Sequence, residues 1–216
     1  MVFFRHKGEG ARDRRRSGTT PGSNGGARDE VSHRVTKELA RAESLARMLA
    51  MSRAAAAIEP ADYLAGLYIY DWERLSKYWD DRAAIESYLQ RICRISPQRW
   101  HHWIEFYDRE RRGEDKPDLR KIFGSVGTAG EDGASLAASG ELETILRKAE
   151  TIAPHHDTVE GRTIPILTSE CVLLAMTKIE GLEIGRRLLE SGLDATLLEQ
   201  EARNPRHAPL HGAEDK

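Results

Sequence analysis

From Leu142 to Gln200 the apolar residues recur at a helical period that short polar breaks interrupt, and this pattern narrows the possible folds more than any other stretch. Leu142, Ile145, Leu146, Ala149 and Ile152 fall at i, i+3, i+4, i+7 and i+10, which is one apolar stripe along a helix. A polar loop with Gly161 and Pro165 follows. Then comes Leu167-Thr168-Ser169-Glu170-Cys171-Val172-Leu173-Leu174-Ala175-Met176, where Thr168 or Ser169 can cap a helix whose positive end favours Glu170. Ile184, Leu188 and Leu189 mark a third helix, Gly192 stands where a helix C-terminus wants glycine, and Asp194-Ala195-Thr196-Leu197-Leu198-Glu199 opens a fourth. The stretch reads as one compact unit of helix, loop and three short helices.

The same reading upstream gives four more helices. Val35, Leu39, Ala42, Ala46 and Leu49 step by three and four, so a long helix is predicted from about Val31 to Ile58. Glu59-Pro60 ends it, and Pro60 suits the first turn of a second helix running to Trp79 with Leu64, Leu67, Tyr68, Trp72, Leu75 and Trp79 on one side. Asp80-Asp81 can start a third, with Ile85, Tyr88, Leu89 and Ile92 facing in. Ser96-Pro97 is a capping hydroxyl followed by proline, and the fourth helix presents Trp100, Trp103, Ile104 and Tyr107 before ending near Arg112-Gly113.

Between these blocks, residues 113–140 hold six glycines and few large apolar residues, the signature of a linker or long loop, with Leu119, Ile122 and Phe123 able to pack back as one turn. Residues 1–30 are rich in glycine and in Arg12, Arg14, Arg15 and Arg16, so they are expected to form a disordered basic tail. Residues 204–216 are expected to fray. The fold class is therefore all-α, about eight helices in two blocks, residues 31–112 and 141–203.

Composition bounds the function classes. Charged residues make up 31 % and the formal net charge is −2, so the whole chain carries no nucleic-acid footprint. No apolar run is long enough to span a bilayer, and Met1-Val2-Phe3-Phe4-Arg5-His6 lacks the apolar core of a secretory signal. Cys93 and Cys171 both sit in apolar helical patterns and are expected to be small buried residues rather than a disulfide. The expected compartment is cytoplasmic.

The order of elements in residues 142–200 resembles one repeat of the Clp N-terminal domain, the helical module that ring-shaped Clp unfoldases carry ahead of their ATPase rings. That family has a Thr-Glu-His-Leu-Leu-like helix start, of which Ser169-Glu170-Cys171 keeps the Glu and has Cys for His, and then a Leu-Leu-x-x-Gly-hydrophobic-Asp signature, matched here from Leu188 to Asp194. The domain is built from two tandem four-helix repeats, so the resemblance implies that residues 31–112 are a diverged first repeat. Setting Leu64 against Leu173 brings Ile58 over Leu167 and Leu67 over Met176, and, with an insertion, Tyr88-Leu89 near Leu188-Leu189. No G-x-x-x-x-G-K-[ST] phosphate loop is present, so the chain itself is not the ATP-driven motor. The resemblance implies a stand-alone protein-binding module that works in Clp chaperone or proteolysis systems, on substrates, adaptors or Clp subunits.

Little in the sequence calls for catalysis, a cofactor or a metal. His101 and His102 are adjacent and point about 100° apart on a helix, so they do not readily share one ion. His101 with Glu105 is an ordinary i, i+4 pair, and His155-His156-Asp157 reads as a solvated loop. No G-x-S-x-G or G-x-G-x-x-G occurs in a fitting context. The binding candidates are of another kind. Tyr63, Tyr68, Tyr70, Trp72, Tyr78, Trp79, Tyr88, Trp100, Trp103 and Tyr107 crowd one region. Most are expected in the core, but Tyr70 and either Trp72 or Tyr78 are candidates for exposure beside Arg74 and Lys77, as anchors for a protein partner. In some Clp N-domains the Glu of the Thr-Glu-His motif helps bind phosphorylated arginine, so the resemblance makes Glu170, with Ser169 beside it, a candidate for facing a guanidinium. Two other functions stay open: a general helical interaction factor unrelated to Clp, and a nucleic-acid-binding regulator using the Arg12–Arg16 tail.

Overall fold

The computed structural model describes residues 34–114, 136–159 and 162–203, and all that follows concerns these. The expected tail over residues 1–30, the turn at Leu119, Ile122 and Phe123, and the end from residue 204 lie outside them. The chain is mostly helical, as expected, with one small sheet that the sequence reading did not anticipate.

The first helix, α1 (Lys37–Ser52), is capped by the Thr36 hydroxyl, which accepts from Leu39 N at 3.3 Å. It is shorter than predicted at both ends, because Arg34–Val35 form a strand, β1, and Ala54 turns to a positive φ of 54°. Helix α2 (Pro60–Tyr70) begins at proline with a Glu59/Asp62 capping box, and all of its residues are buried. It stops at Asp71, whose φ of −130° breaks the single helix predicted to run on to Trp79. The remainder is a short helix, α3 (Trp72–Leu75), and a 3₁₀ turn (Ser76–Tyr78). Then come α4 (Arg82–Ile92), capped by Asp81, and α5 (Pro97–Arg112), capped by Ser96.

The second half holds α6 (Gly140–Ile152), α7 (Ser169–Lys178), α8 (Glu183–Glu190) and α9 (Ala195–Ala202). Where a polar loop was expected, β2 (His156–Val159) and β3 (Arg162–Leu167) make an antiparallel hairpin, and β1 joins it in the order β1-β3-β2. Thr163, Ile164 and Ile166 are strand formers, and Pro165 sits in β3 opposite His156.

Three backbone bridges tie the halves together, and they are reciprocal. Val35, just before α1, runs parallel to Leu167, just before α7. Ala138, just before α6, runs parallel to Ile58, just before α2. Trp79 and Leu193 pair antiparallel, with Asp80 N donating to Gly192 O at 3.3 Å and Asp194 N to Tyr78 O at 2.7 Å. Each bridge maps onto another, or onto itself, when the halves are exchanged, as a twofold relation requires. The exchange sets α1 against α6 and α2 against α7, with Ile58 over Leu167 as read from the sequence. Further on it departs from that reading: α3 and the 3₁₀ turn answer to α8, and α4 to α9, so Tyr88-Leu89 does not answer to Leu188-Leu189. Among the described residues neither α5 nor the β2–β3 hairpin has a counterpart.

The core spans both halves, from Leu39, Leu45 and Leu64 to Leu167, Leu174 and Leu188. Aromatic rings fill the space under α5: Tyr70 meets Tyr107 edge-on at 5.3 Å, and Trp103 stacks on Tyr107 at 6.0 Å. Cys93 and Cys171 are buried free thiols. Burial pushes the Cys93 thiol up to about 12. A raised pKa in the fold means that this stability is whole below the unfolded thiol's value of about 8.5 and is lost as pH rises toward 12. Two results are expected. Neither thiol reacts rapidly with a disulfide reagent in native protein, and both do in urea; and the urea midpoint falls as pH is raised above about 9. Fast native labelling at neutral pH would contradict the burial.

Candidate functional site

The break at Asp71 decides where the charged groups go. The chain turns there from α2 into α3, and Arg74 of α3 reaches the N-terminal turn of α7. Arg74 Nε donates to Asp71 Oδ2 and Nη1 to Glu170 Oε1, so one guanidinium holds a carboxylate of its own half and one of the other. Behind it, Arg111 of α5 donates to Asp71 Oδ1 at 3.2 Å and to Asp108 Oδ1 at 2.8 Å. The Tyr78 hydroxyl donates to Glu170 Oε1 at 3.4 Å. A chain of alternating charge thus runs from α5 through the α2–α3 junction to the first turn of α7.

The seam is closed at Glu170 and partly open at Arg74. The Glu170 side chain is 1 % exposed and that of Arg74 28 %. Burial raises the Asp71 carboxyl above its usual range, and Arg74 and Arg111 only partly offset this. For Arg74 burial works against the charge, but Glu170 and Asp71 outweigh it and hold the guanidinium above its ordinary value. The Tyr78 hydroxyl is pushed well up, first by burial and then by the neighbouring Glu170 charge. Two further effects fit Glu170 to its place. It lies at the positive end of α7, and its Oε1 takes two donors. Its Oε2, by contrast, is buried with no hydrogen-bond partner among the described residues.

The structure therefore brings Arg74 and Glu170 together but does not present them as the sequence reading expected. Glu170 faces a guanidinium, but it is the chain's own. Ser169 is the buried first residue of α7, and the capping hydroxyl is that of Thr168, which accepts from Cys171 N at 3.3 Å. Tyr70 is 8 % exposed and Tyr78 1 %, so neither is a surface anchor; the kink and the rings of α5 draw both inward. Trp72 is half-buried, its indole Nε1 enclosed without a partner among the described residues, and Lys77 lies over the Tyr78 ring at 4.9 Å. Carrying the Ile58–Leu167 register forward puts Ala61 where the second half has Glu170, so the first half offers no matching carboxylate.

Asp71 and Arg111 were not singled out from the sequence, and nothing in it marks them: they are 40 positions apart and look like other charged helix residues. The histidine pairs gain no new role. His101 and His102 are exposed, Glu105 bonds to Arg109 at 2.6 Å, and His156 and Asp157 lie in β2 rather than in a loop. Among the described residues no group of three or more His, Cys, Asp and Glu side chains could hold a metal ion, and no helix is long and apolar enough to cross a membrane.

Compared with protein-family models, with curated proteins and with solved structures, the chain matches none.

Proposed function

We propose that the chain is a non-catalytic protein-docking module of the Clp N-domain kind, which holds substrates, adaptors or Clp subunits for a Clp chaperone or protease. The observation that carries the reading is the reciprocal set of bridges: Val35 with Leu167, Ala138 with Ile58, and Trp79 with Leu193. Two helical units exchange their helix-start segments, which is the arrangement expected of a tandem repeat. The better-matched unit, residues 142–200, supplies the motif residues.

The seam has a definite part in this reading. A docking module works by keeping a surface in one shape, since ordering it at the moment of binding would weaken the complex. Arg74, held by Asp71 and Glu170, fixes the junction at which the halves meet. An outside guanidinium would have to displace Arg74 before it could reach Glu170. The surface that meets a partner is therefore expected to be elsewhere, and a Glu170 substitution reports on the seam.

The test uses the full-length chain, immobilised and exposed to extract of the cells that encode it, with recovered proteins identified by mass spectrometry. Clp ATPase or peptidase subunits, or their substrates, are expected in stoichiometric amount. An unrelated stoichiometric partner with no Clp component would refute the reading and leave a general helical interaction factor in its place.

A further inference from the structure

The turn between α4 and α5 carries a cationic face that the seam does not use. From Ser87 to Ile104 the sequence contains no carboxylate side chain. Over the same stretch Arg91, Arg94, Arg99, His101 and His102 are all exposed. Among the described residues Arg91 and Arg94 pair with no carboxylate, although the α8 surface and the α5 C-terminal half are laced with ion pairs. Ile92 stands between the two arginines and is 37 % exposed.

Arg94 holds a position that suits glycine. Helix α4 closes with Ile95 N donating to Gln90 O at 2.8 Å and Arg94 N to Arg91 O at 3.3 Å, which leaves Arg94 at a φ of +53°. Helices α1, α5 and α8 close with the same pair of bonds, and there the residue is Ala54 at +54°, Gly113 at +69° and Gly192 at +78°, none of them with a long side chain. Glycine enters this left-handed region without the clash that a Cβ meets. At α4 the chain instead carries a long cationic side chain that is exposed to solvent.

We propose that this turn is a docking face for an acidic segment of a partner protein. The guanidinium groups of Arg91 and Arg94 take its carboxylates, a planar match that favours paired hydrogen bonds, and Ile92 takes an apolar side chain between them. The charge of the face selects an acidic ligand, and two features favour protein over nucleic acid. Trp100 and Trp103 are buried, leaving no exposed tryptophan on this face for a base to stack on, and the centre of the patch is apolar where a phosphate backbone would need charge. The inference does not depend on the Clp reading, because none of the residues that carry it belongs to the motif around Glu170 or from Leu188 to Asp194.

Fluorescence anisotropy of the full chain with a short labelled peptide of glutamates broken by leucines tests this directly. The comparison ligands are the same peptide with lysine for glutamate and a short DNA duplex. The acidic peptide is expected to bind and the lysine peptide not. Arg91→Glu should weaken binding at least about tenfold. Arg94→Gly is the sharper variant: it should raise the thermal midpoint by roughly 2–4 °C, since it relieves the backbone, while weakening the peptide about tenfold. A midpoint that falls in the glycine variant, binding that is unchanged, or tighter binding of the duplex would overturn the proposal.

Discussion

Gly66→Val is expected to cost most of the stability of this fold. Gly66 lies in α2 where that helix crosses α1, and a Cβ there would press into Ala42 O and stand 3.0 Å from Ala46 N. Both are backbone atoms of α1, so no side-chain rotation makes room, and the helices must move apart. The contact they would lose joins Leu39, Leu45 and Leu49 to Leu64 and Leu67, the middle of the first half's core. Overpacking commonly costs about 1–3 kcal/mol, and a backbone obstruction lies at or above the top of that range, against a total stability of roughly 5–15 kcal/mol. Gly66→Ala should then lose about 3 kcal/mol, and Gly66→Val should be largely unfolded at 37 °C. Urea titration followed by circular dichroism reads both. A valine variant within about 1 kcal/mol of the parent would mean that α1 and α2 do not approach as described.

The second large effect concerns the seam. Arg74→Ala removes the cation from between Asp71 and Glu170 and leaves a 1 % exposed carboxylate with the Tyr78 hydroxyl as its remaining side-chain donor among the described residues. Breaking a buried pair from one side costs about 3–5 kcal/mol, whereas replacing both partners with apolar groups is often close to neutral. Arg74→Met combined with Glu170→Leu should therefore recover much of what Arg74→Ala loses, since Asp71 keeps Arg111 as a partner. A double-mutant cycle by urea unfolding separates the two cases. If the double variant were as damaged as Arg74→Ala, the loss would come from packing around α3 and not from a stranded charge.

What could be read from the chain in advance was what local rules govern. The stripe from Leu142 to Ile152, the proline starts at Pro60 and Pro97, and the caps at Ser96, Asp81 and Asp194 all act within one turn, so sequence reveals them. The register of Ile58 with Leu167 was legible for a similar reason, as both precede a buried helix. The kink at Asp71 was not, because its cause is distant: Asp71 is held by Arg111 from α5 and by Arg74, whose own direction is set by Glu170. Once the kink is missed, the exposure of Tyr70 and Tyr78 is misjudged with it. The hairpin was missed because Thr163-Ile164-Pro165-Ile166 is too short and too proline-marked to announce a strand alone; β1 and β2 complete it. Glu170 was found, but its internal partner was not, for the two lie 96 positions apart.

The reciprocal bridges bear on how the chain reaches this state. Among the described residues the strand ahead of α1 finds its hydrogen bonds beside Leu167, and the segment ahead of α2 finds its own beside Ala138. Among the described residues, the segments that lead into the first two helices of each half pair with the other half and not with their own. These bonds require a long closure of the chain, and the entropy of that closure must be met before any of the three bridges returns energy. Two units that look separable in sequence are therefore expected to unfold in a single transition.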